Sequence, residues 1–183
     1  MKKKLLSAIL LAALAVSLLV PAAFAAPKQS DSDDVIEITI VIGNPTKEEI
    51  ENHKLDDGTR VGDHEYIVRY AETALTKAPP DLLIYFKYAY WTKDTGVLSL
   101  ALNPKMDVRT NYDAKEAAWD ILTDPENGIV TSSYWPTEPQ KEKTFRWQYD
   151  CHYIGGMNEE EWNLEPHRSA SNFFAVLLAK CNP

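Results

Sequence analysis

Cysteine is scarce in this chain of 183 residues: there are two, Cys151 and Cys181. That is too few for a four-cysteine zinc site or a disulfide-dense miniature scaffold. Glycine is also sparse, at 7, and none falls in the Gly-rich patterns that cradle a dinucleotide or a phosphate. No His-Glu-x-x-His, Gly-x-Ser-x-Gly or Cys-x-x-Cys occurs. Metalloprotease, serine-hydrolase and zinc-finger signatures are therefore missing, and no metal or cofactor is expected. Basic residues are outnumbered, 19 Lys and Arg against 27 Asp and Glu, for a net charge of −8. Beyond the N-terminus no run of Lys or Arg offsets this; the nearest approach is Lys141 and Lys143 around Glu142. Such a balance works against capture of nucleic acid or an anionic membrane surface, so no nucleic-acid partner is expected.

Long hydrophobic runs are confined to the start. Lys2, Lys3 and Lys4 precede an apolar run from Leu5 to Val20, and Ala23, Phe24 and Ala25 follow Pro21. These are the three parts of a secretory signal peptide over residues 1–25. The run is shorter than the roughly 20 residues of a spanning helix, and no cysteine lies near the cleavage site for lipidation, so no stable membrane anchor is expected. Cleavage after Ala25 leaves 158 of the 183 residues, room for one domain with its own core. Removing three lysines takes the exported chain to about −11. Residues 26–34 are polar and acidic without apolar periodicity, a flexible leader, and 35–183 are expected to form a single α+β domain. In an oxidising compartment the two cysteines are expected to pair as Cys151–Cys181. The competing use of Cys151 as a nucleophile with His152 as base fails if this stretch is a strand, since neighbouring side chains then point to opposite faces.

Val35 to Ile42 alternates, with Ile36, Ile38, Ile40 and Ile42 on one face, and predicts a half-buried strand. Thr46 and Glu49 form a capping box that starts a short helix through about Lys54. Asp56 to Asp63 is turn-rich but lacks the alternating ligands of a calcium loop. His64 to Ala71 fits a strand or the start of a helix to Thr76, and Lys77 to Asp81 is a break at Pro79 and Pro80. Leu82 to Trp91 and Gly96 to Asn103 predict an antiparallel hairpin, and Asp113 to Leu122 a helix. Ile129 to Lys143 is expected to be loop, and Thr144 to Ile154 a strand. Phe173 to Ala179 favours a helix, with Ser171 as a cap, over a strand. Strands and helices mixed in this way predict an α+β fold, helices packed against an antiparallel sheet, with one C-terminal disulfide.

Five groups of residues in the C-terminal half carry a family resemblance. They are Tyr88 to Leu102, Val108 to Trp119, Cys151 with His152, Trp162 to Pro166 with Arg168, and the closing Cys181, Asn182 and Pro183. Together they resemble domain of unknown function 2599, a family of exported bacterial proteins. The resemblance implies secretion and paired cysteines, and it supplies no activity. It leaves Val35 to Asp81 unexplained, and His167 stands where the family commonly has an aromatic.

A His with a carboxylate can move protons, and an Arg can hold an anion, so His152, Glu165 and Arg168 are the candidate catalytic set for a small phosphodiesterase or ribonuclease-like hydrolase. Glu165 and Arg168 are also placed simply to pair with each other, and a lone His on a strand is more often structural. The favoured reading is an exported, non-enzymatic interaction or ligand-binding domain. Trp91, Arg109, Trp119 and Trp162 are its candidate binding residues, because 9 Tyr and 5 Trp exceed what a small core needs. The expected partner is a protein, a cell-wall component or a small molecule.

Overall fold

The computed structural model describes residues 35–71, 82–94 and 97–183. The expected signal peptide, the leader and the proline break lie outside them. The fold is α+β. A five-stranded sheet is built from β1 (Ile36–Gly43), β2 (Tyr66–Tyr70), β3 (Phe86–Asp94), β4 (Val97–Pro104) and β5 (Trp162–Leu164), in the spatial order β2-β1-β3-β4-β5. Every neighbouring pair is antiparallel except β1 with β2, which run parallel.

The helices are α1 (Lys47–Asn52), α2 (Leu82–Tyr85), α3 (Met106–Thr110), α4 (Tyr112–Leu122), α5 (Pro139–Gly155) and α6 (Phe173–Leu178). Thr46 and Glu49 close the capping box on α1 from both sides. Asn111 caps α4 by accepting from the amides of Asp113 and Ala114. Asn172, rather than Ser171, caps α6.

Both faces of the sheet are covered. On one face Ala89, Trp91, Leu100, Leu102, Trp162 and Leu164 pack with α4 and α5. On the other, Ile36, Ile38, Ile40, Tyr88, Tyr90 and Ala101 pack under Ile50 of α1, Leu55 and Val61. The four isoleucines of β1 do not share a face as expected. A bulge between Ile40 and Ile42 adds a residue to the strand and turns Ile42 to the α4 and α5 side. At the end of β1, Gly43 has φ +74°, and a side chain there would run into the backbone of Lys87 and Tyr88 on β3. Only glycine fits so close an approach in that conformation.

Three expectations fail in the C-terminal half and before β3. Leu82 to Tyr85 is a helical turn, and the strand begins at Phe86. The expected loop Ile129 to Lys143 turns helical at Pro139, and Trp162 to Leu164, to which the sequence assigned no element, adds β5 to the sheet edge. Most consequentially, Thr144 to Ile154 is not a strand; it belongs to the 17-residue helix α5, which starts at Pro139, a residue suited to the first helical position. The aromatic alternation of Phe145, Trp147, Tyr149 and Tyr153 mimics period two. The residues that α5 buries are Thr144, Phe145, Gln148, Tyr149, Cys151 and His152, a helical stripe whose polar members hide it from a hydrophobicity pattern.

That polar stripe has a purpose in packing. Gln140, Thr144, Gln148 and His152 recur every fourth residue, so they lie along one line of the helix. Each bonds the backbone of the segment from Asn163 to Ala170. The Gln140 side chain donates to the carbonyl of Ala170, and Thr144 Oγ1 accepts from the amide of Ala170 at 3.0 Å. Gln148 both accepts from the Glu165 amide at 2.7 Å and donates to the Glu165 carbonyl at 3.0 Å. His152 Nε2 meets the carbonyl of Asn163 at 3.0 Å. An irregular segment cannot satisfy its own backbone, and this side-chain ladder does so from the helix.

Candidate functional site

His152 is fully engaged by that ladder. Its Nδ1 lies 2.9 Å from Glu159 Oε2, its Nε2 bonds the Asn163 carbonyl, and its ring stacks on Trp162. The bond from His152 holds the Glu159 carboxyl below the usual range, against an opposing desolvation. On a helix Cys151 and His152 are both buried, so the opposite-face argument does not apply; Cys151 is excluded as a nucleophile because its sulfur is bonded to Cys181. Glu165 and Arg168 do pair, through Arg168 Nε and Glu165 Oε2, but the imidazole of His152 is committed to Glu159 and Asn163. The expected catalytic set does not converge on one point.

The aromatic candidates are core. Trp162 and Trp91 are buried, Trp119 packs on Trp135 and Tyr149, and Arg109 is buried beneath the loop that leads into β5. Arg109 donates to the carbonyls of Pro104, Met157, Glu159 and Glu160 and lies 5.6 Å over the Trp162 ring. Its role is to hold that loop. Arg109→Met should leave these buried carbonyls short of donors and lower stability by about 3 kcal/mol, measured as a shift in the urea midpoint.

A cavity of about 470 Å³ lies on the α1 side of the sheet, where the loop after α1, the β3–β4 hairpin, β5 and the C-terminal tail meet. Two clusters of ionisable groups reach its wall, the first through His53 and the second through Asp56 and Glu165, and neither is built around His152.

The first cluster joins His53 to Glu161. His53, the residue that ends α1, is 2% exposed. Its Nδ1 lies 3.1 Å from Glu161 Oε1, and its Nε2 lies 3.4 Å from Thr92 Oγ1. A carboxylate only accepts, so Nδ1 is the donor of that bond, and in the neutral ring Nε2 is left as an acceptor. Tyr90 donates to the other oxygen of Glu161 at 2.8 Å and meets the His53 ring edge-on. Burial beside Glu161 pushes the Tyr90 hydroxyl well above its ordinary range, so it remains a donor. Thr92 and Ser99 are directly opposed on β3 and β4, which places both residues on the cavity wall.

The second cluster is Glu165, Asp56 and Arg168. Glu165 is 1% exposed. Burial, reinforced by the Asp56 carboxylate, pushes its carboxyl up, while Arg168 opposes the shift. Arg168 Nη2 reaches Asp56 Oδ2 at 3.3 Å, so one guanidinium bridges the two acids. His167 Nε2 stands 3.6 Å from Glu165, and desolvation together with Arg168 lowers its own proton affinity.

A carboxyl raised on folding stabilises the protein below its unfolded pKa, and that contribution is lost as pH rises through the folded value. Glu165→Gln cannot ionise, so its stability relative to wild type should improve between pH 4 and pH 7. Urea denaturation at the two pH values measures this, and an unchanged difference would contradict the assignment.

The cavity's remaining wall is the tail. Lys180 and Cys181 have φ of 53° and 74°, a left-handed conformation unfavourable for side-chain-bearing residues. The Cys151–Cys181 disulfide, with Cα atoms 5.4 Å apart, ties this turn to α5 and brings Lys180 and Asn182 to the cavity. A second cavity, about 290 Å³, lies on the opposite face beside Trp91, Leu82 and Tyr134. Among the described residues no helix is long and apolar enough to cross a membrane, and no group of three or more His, Cys, Asp or Glu is arranged to hold a metal ion.

The chain belongs to the family described as proteins of unknown function, DUF2599, whose model matches residues 86–183. No curated protein and no solved structure gives a significant match. The match begins at the first residue of β3. His53 and Asp56, which supply one wall of the cavity, therefore lie outside the matched segment.

Proposed function

We propose that the protein is exported and takes up a small polar ligand in the 470 Å³ cavity. The signal-like N-terminus and the disulfide support export. The observation that carries the binding reading is Glu165, a carboxyl 1% exposed in the wall of a cavity of ligand size. Burying such a group is costly without compensation. Here Arg168 supplies part of it, and a ligand hydroxyl or amide facing the cavity supplies more. Acids and lysines of both signs line the space, which suits a neutral or zwitterionic molecule rich in hydroxyls or amides, such as a sugar or short peptide released from a cell wall.

A thermal-shift panel of monosaccharides, N-acetylated amino sugars, D-amino acids, dipeptides and nucleosides tests this. A ligand at 100 times its Kd adds about 2.7 kcal/mol, a rise of roughly 5–11 °C for a domain of about 150 residues. Ser99→Trp, which fills the cavity, should abolish the rise. A panel without a shift, or a shift that survives Ser99→Trp, counts against the reading.

A further inference from the structure

The array Thr92, His53 and Glu161 has the connectivity of an activated hydroxyl. An oxygen nucleophile needs a base within reach of its proton, and that base needs a third group to fix its tautomer. Thr92 Oγ1 is 3.4 Å from Nε2 of His53, and Glu161 holds Nδ1 at 3.1 Å. Tyr90 in turn fixes Glu161 at 2.8 Å. The contrast with His152 is informative. His152 has both nitrogens against a carboxylate and a backbone carbonyl, whereas the partner of His53 Nε2 is the hydroxyl of Thr92, a buried residue of the cavity wall. The apparent length of the Thr92 contact is no obstacle, because such bonds tighten when substrate fills the site.

We infer that this array is a hydrolytic site and that its substrate class is a small carboxylic ester bound in the same cavity. The inference rests on the ligand-binding reading of that cavity. Thr92 Oγ1 bonds to the ester carbonyl carbon while its proton passes to His53 Nε2. The tetrahedral adduct collapses, the bond to the leaving alcohol oxygen breaks, and that oxygen takes the proton from Nε2. Water then gives one proton to Nε2 as its oxygen bonds to the acyl carbon. Thr92 Oγ1 leaves with that proton, and the carboxylic acid is released. Ester and water are consumed, alcohol and acid are formed, and no other reactant is needed. An ester suits the site because its leaving alkoxide is similar in basicity to the threonine oxygen, whereas an amide nitrogen leaves only after stronger protonation. Lys180, which also lines the cavity, carries the N–H donors available to the oxyanion. Glu161 is a positioning residue, since it acts through His53.

The test uses the purified protein with p-nitrophenyl acetate, p-nitrophenyl butyrate and a fluorophosphonate probe. Wild type should turn over at least one ester, and His53→Gln and Thr92→Val should each lower kcat about 100-fold or more. Glu161→Gln should lower kcat with KM unchanged, a split that a purely structural role would not give. The fluorophosphonate adduct should map by mass spectrometry to the peptide containing Thr92. Should His53→Gln fail to fold, Thr92→Val and the adduct still decide, because valine keeps the volume of threonine. Absence of turnover and of an adduct on the wild type overturns the inference, as does turnover that survives Thr92→Val. If those results come with ligand shifts that Ser99→Trp abolishes, the esterase fails and the binding reading stands; if the shifts are absent too, the cavity reading fails with it.

Discussion

A chain that begins at Phe86, the segment matched by the family, should not fold. β1 pairs with β3 along its length from Glu37 to Gly43, in the middle of the sheet. Without it, β3 becomes an open edge with unpaired backbone groups. The face carrying Tyr88, Tyr90 and Ala101 would also lose its cover, since Ile36, Ile38, Ile40, Ile50, Leu55 and Val61 all precede residue 86. Each such large aliphatic side chain contributes roughly 1.5–3 kcal/mol when fully buried, and total stability of a domain is only about 5–15 kcal/mol. The fragment should show no cooperative urea transition and should bind a hydrophobic dye. A sharp transition from residues 86–183 alone would show that β1 and α1 are accessories.

Cys181→Ser should lose about 3.5 kcal/mol, the loop-closure contribution expected for a 30-residue separation. The loss should be visible as a lower urea midpoint, and intact mass should show the wild type two hydrogens lighter before reduction. The larger consequence is local. Lys180 and Cys181 hold left-handed backbone only because the surrounding structure over-determines them, and the disulfide is the covalent part of that constraint. Once it is gone, the turn has reason to relax and carry Lys180 and Asn182 away from the cavity. Ligand shifts should then fall further than the loss of stability alone explains, and turnover should fall with them. A Cys181→Ser protein that binds as wild type does would separate the disulfide from the site.

Local signals in the chain were readable where one residue type has one physical use. The capping box at Thr46 and Glu49 and the pairing of β3 with β4 formed as their spacing required, and the β-branched alternation of β1 holds from Ile36 to Ile40. The cysteine pairing was equally legible, because two cysteines allow one intramolecular connection. The helix α5 was not, because its buried face is made of Thr144, Gln148 and His152, whose partners are backbone groups far along the chain. β5, three residues long, is too short to alternate. Ile42 changed face through a bulge that leaves no mark in the hydrophobic pattern.

The site was hidden for a related reason. His53 and Glu161 are 108 residues apart and belong to no spaced motif. Glu161 stands at the end of an acidic run with Glu159 and Glu160, which looks like a solvated face. Only its position next to Trp162, at the entry to β5, points the side chain at His53 and Tyr90. Glu165 and Arg168 were singled out correctly as a pair. Asp56 was passed over as part of a turn, although Arg168 bridges it to Glu165.

The proposed ligand site is the cavity between His53, Thr92, Glu165 and Lys180. The most direct measurement is backbone amide NMR of the isotopically labelled protein, titrated with a compound that raises its melting temperature. Perturbations are expected to centre on Thr92, Ser99, Asn163, Lys180 and Asn182, to saturate together and to disappear in Ser99→Trp. Perturbations centred instead on Trp91, Leu82 and Tyr134 across the sheet, or on the outer side of α6, would contradict it.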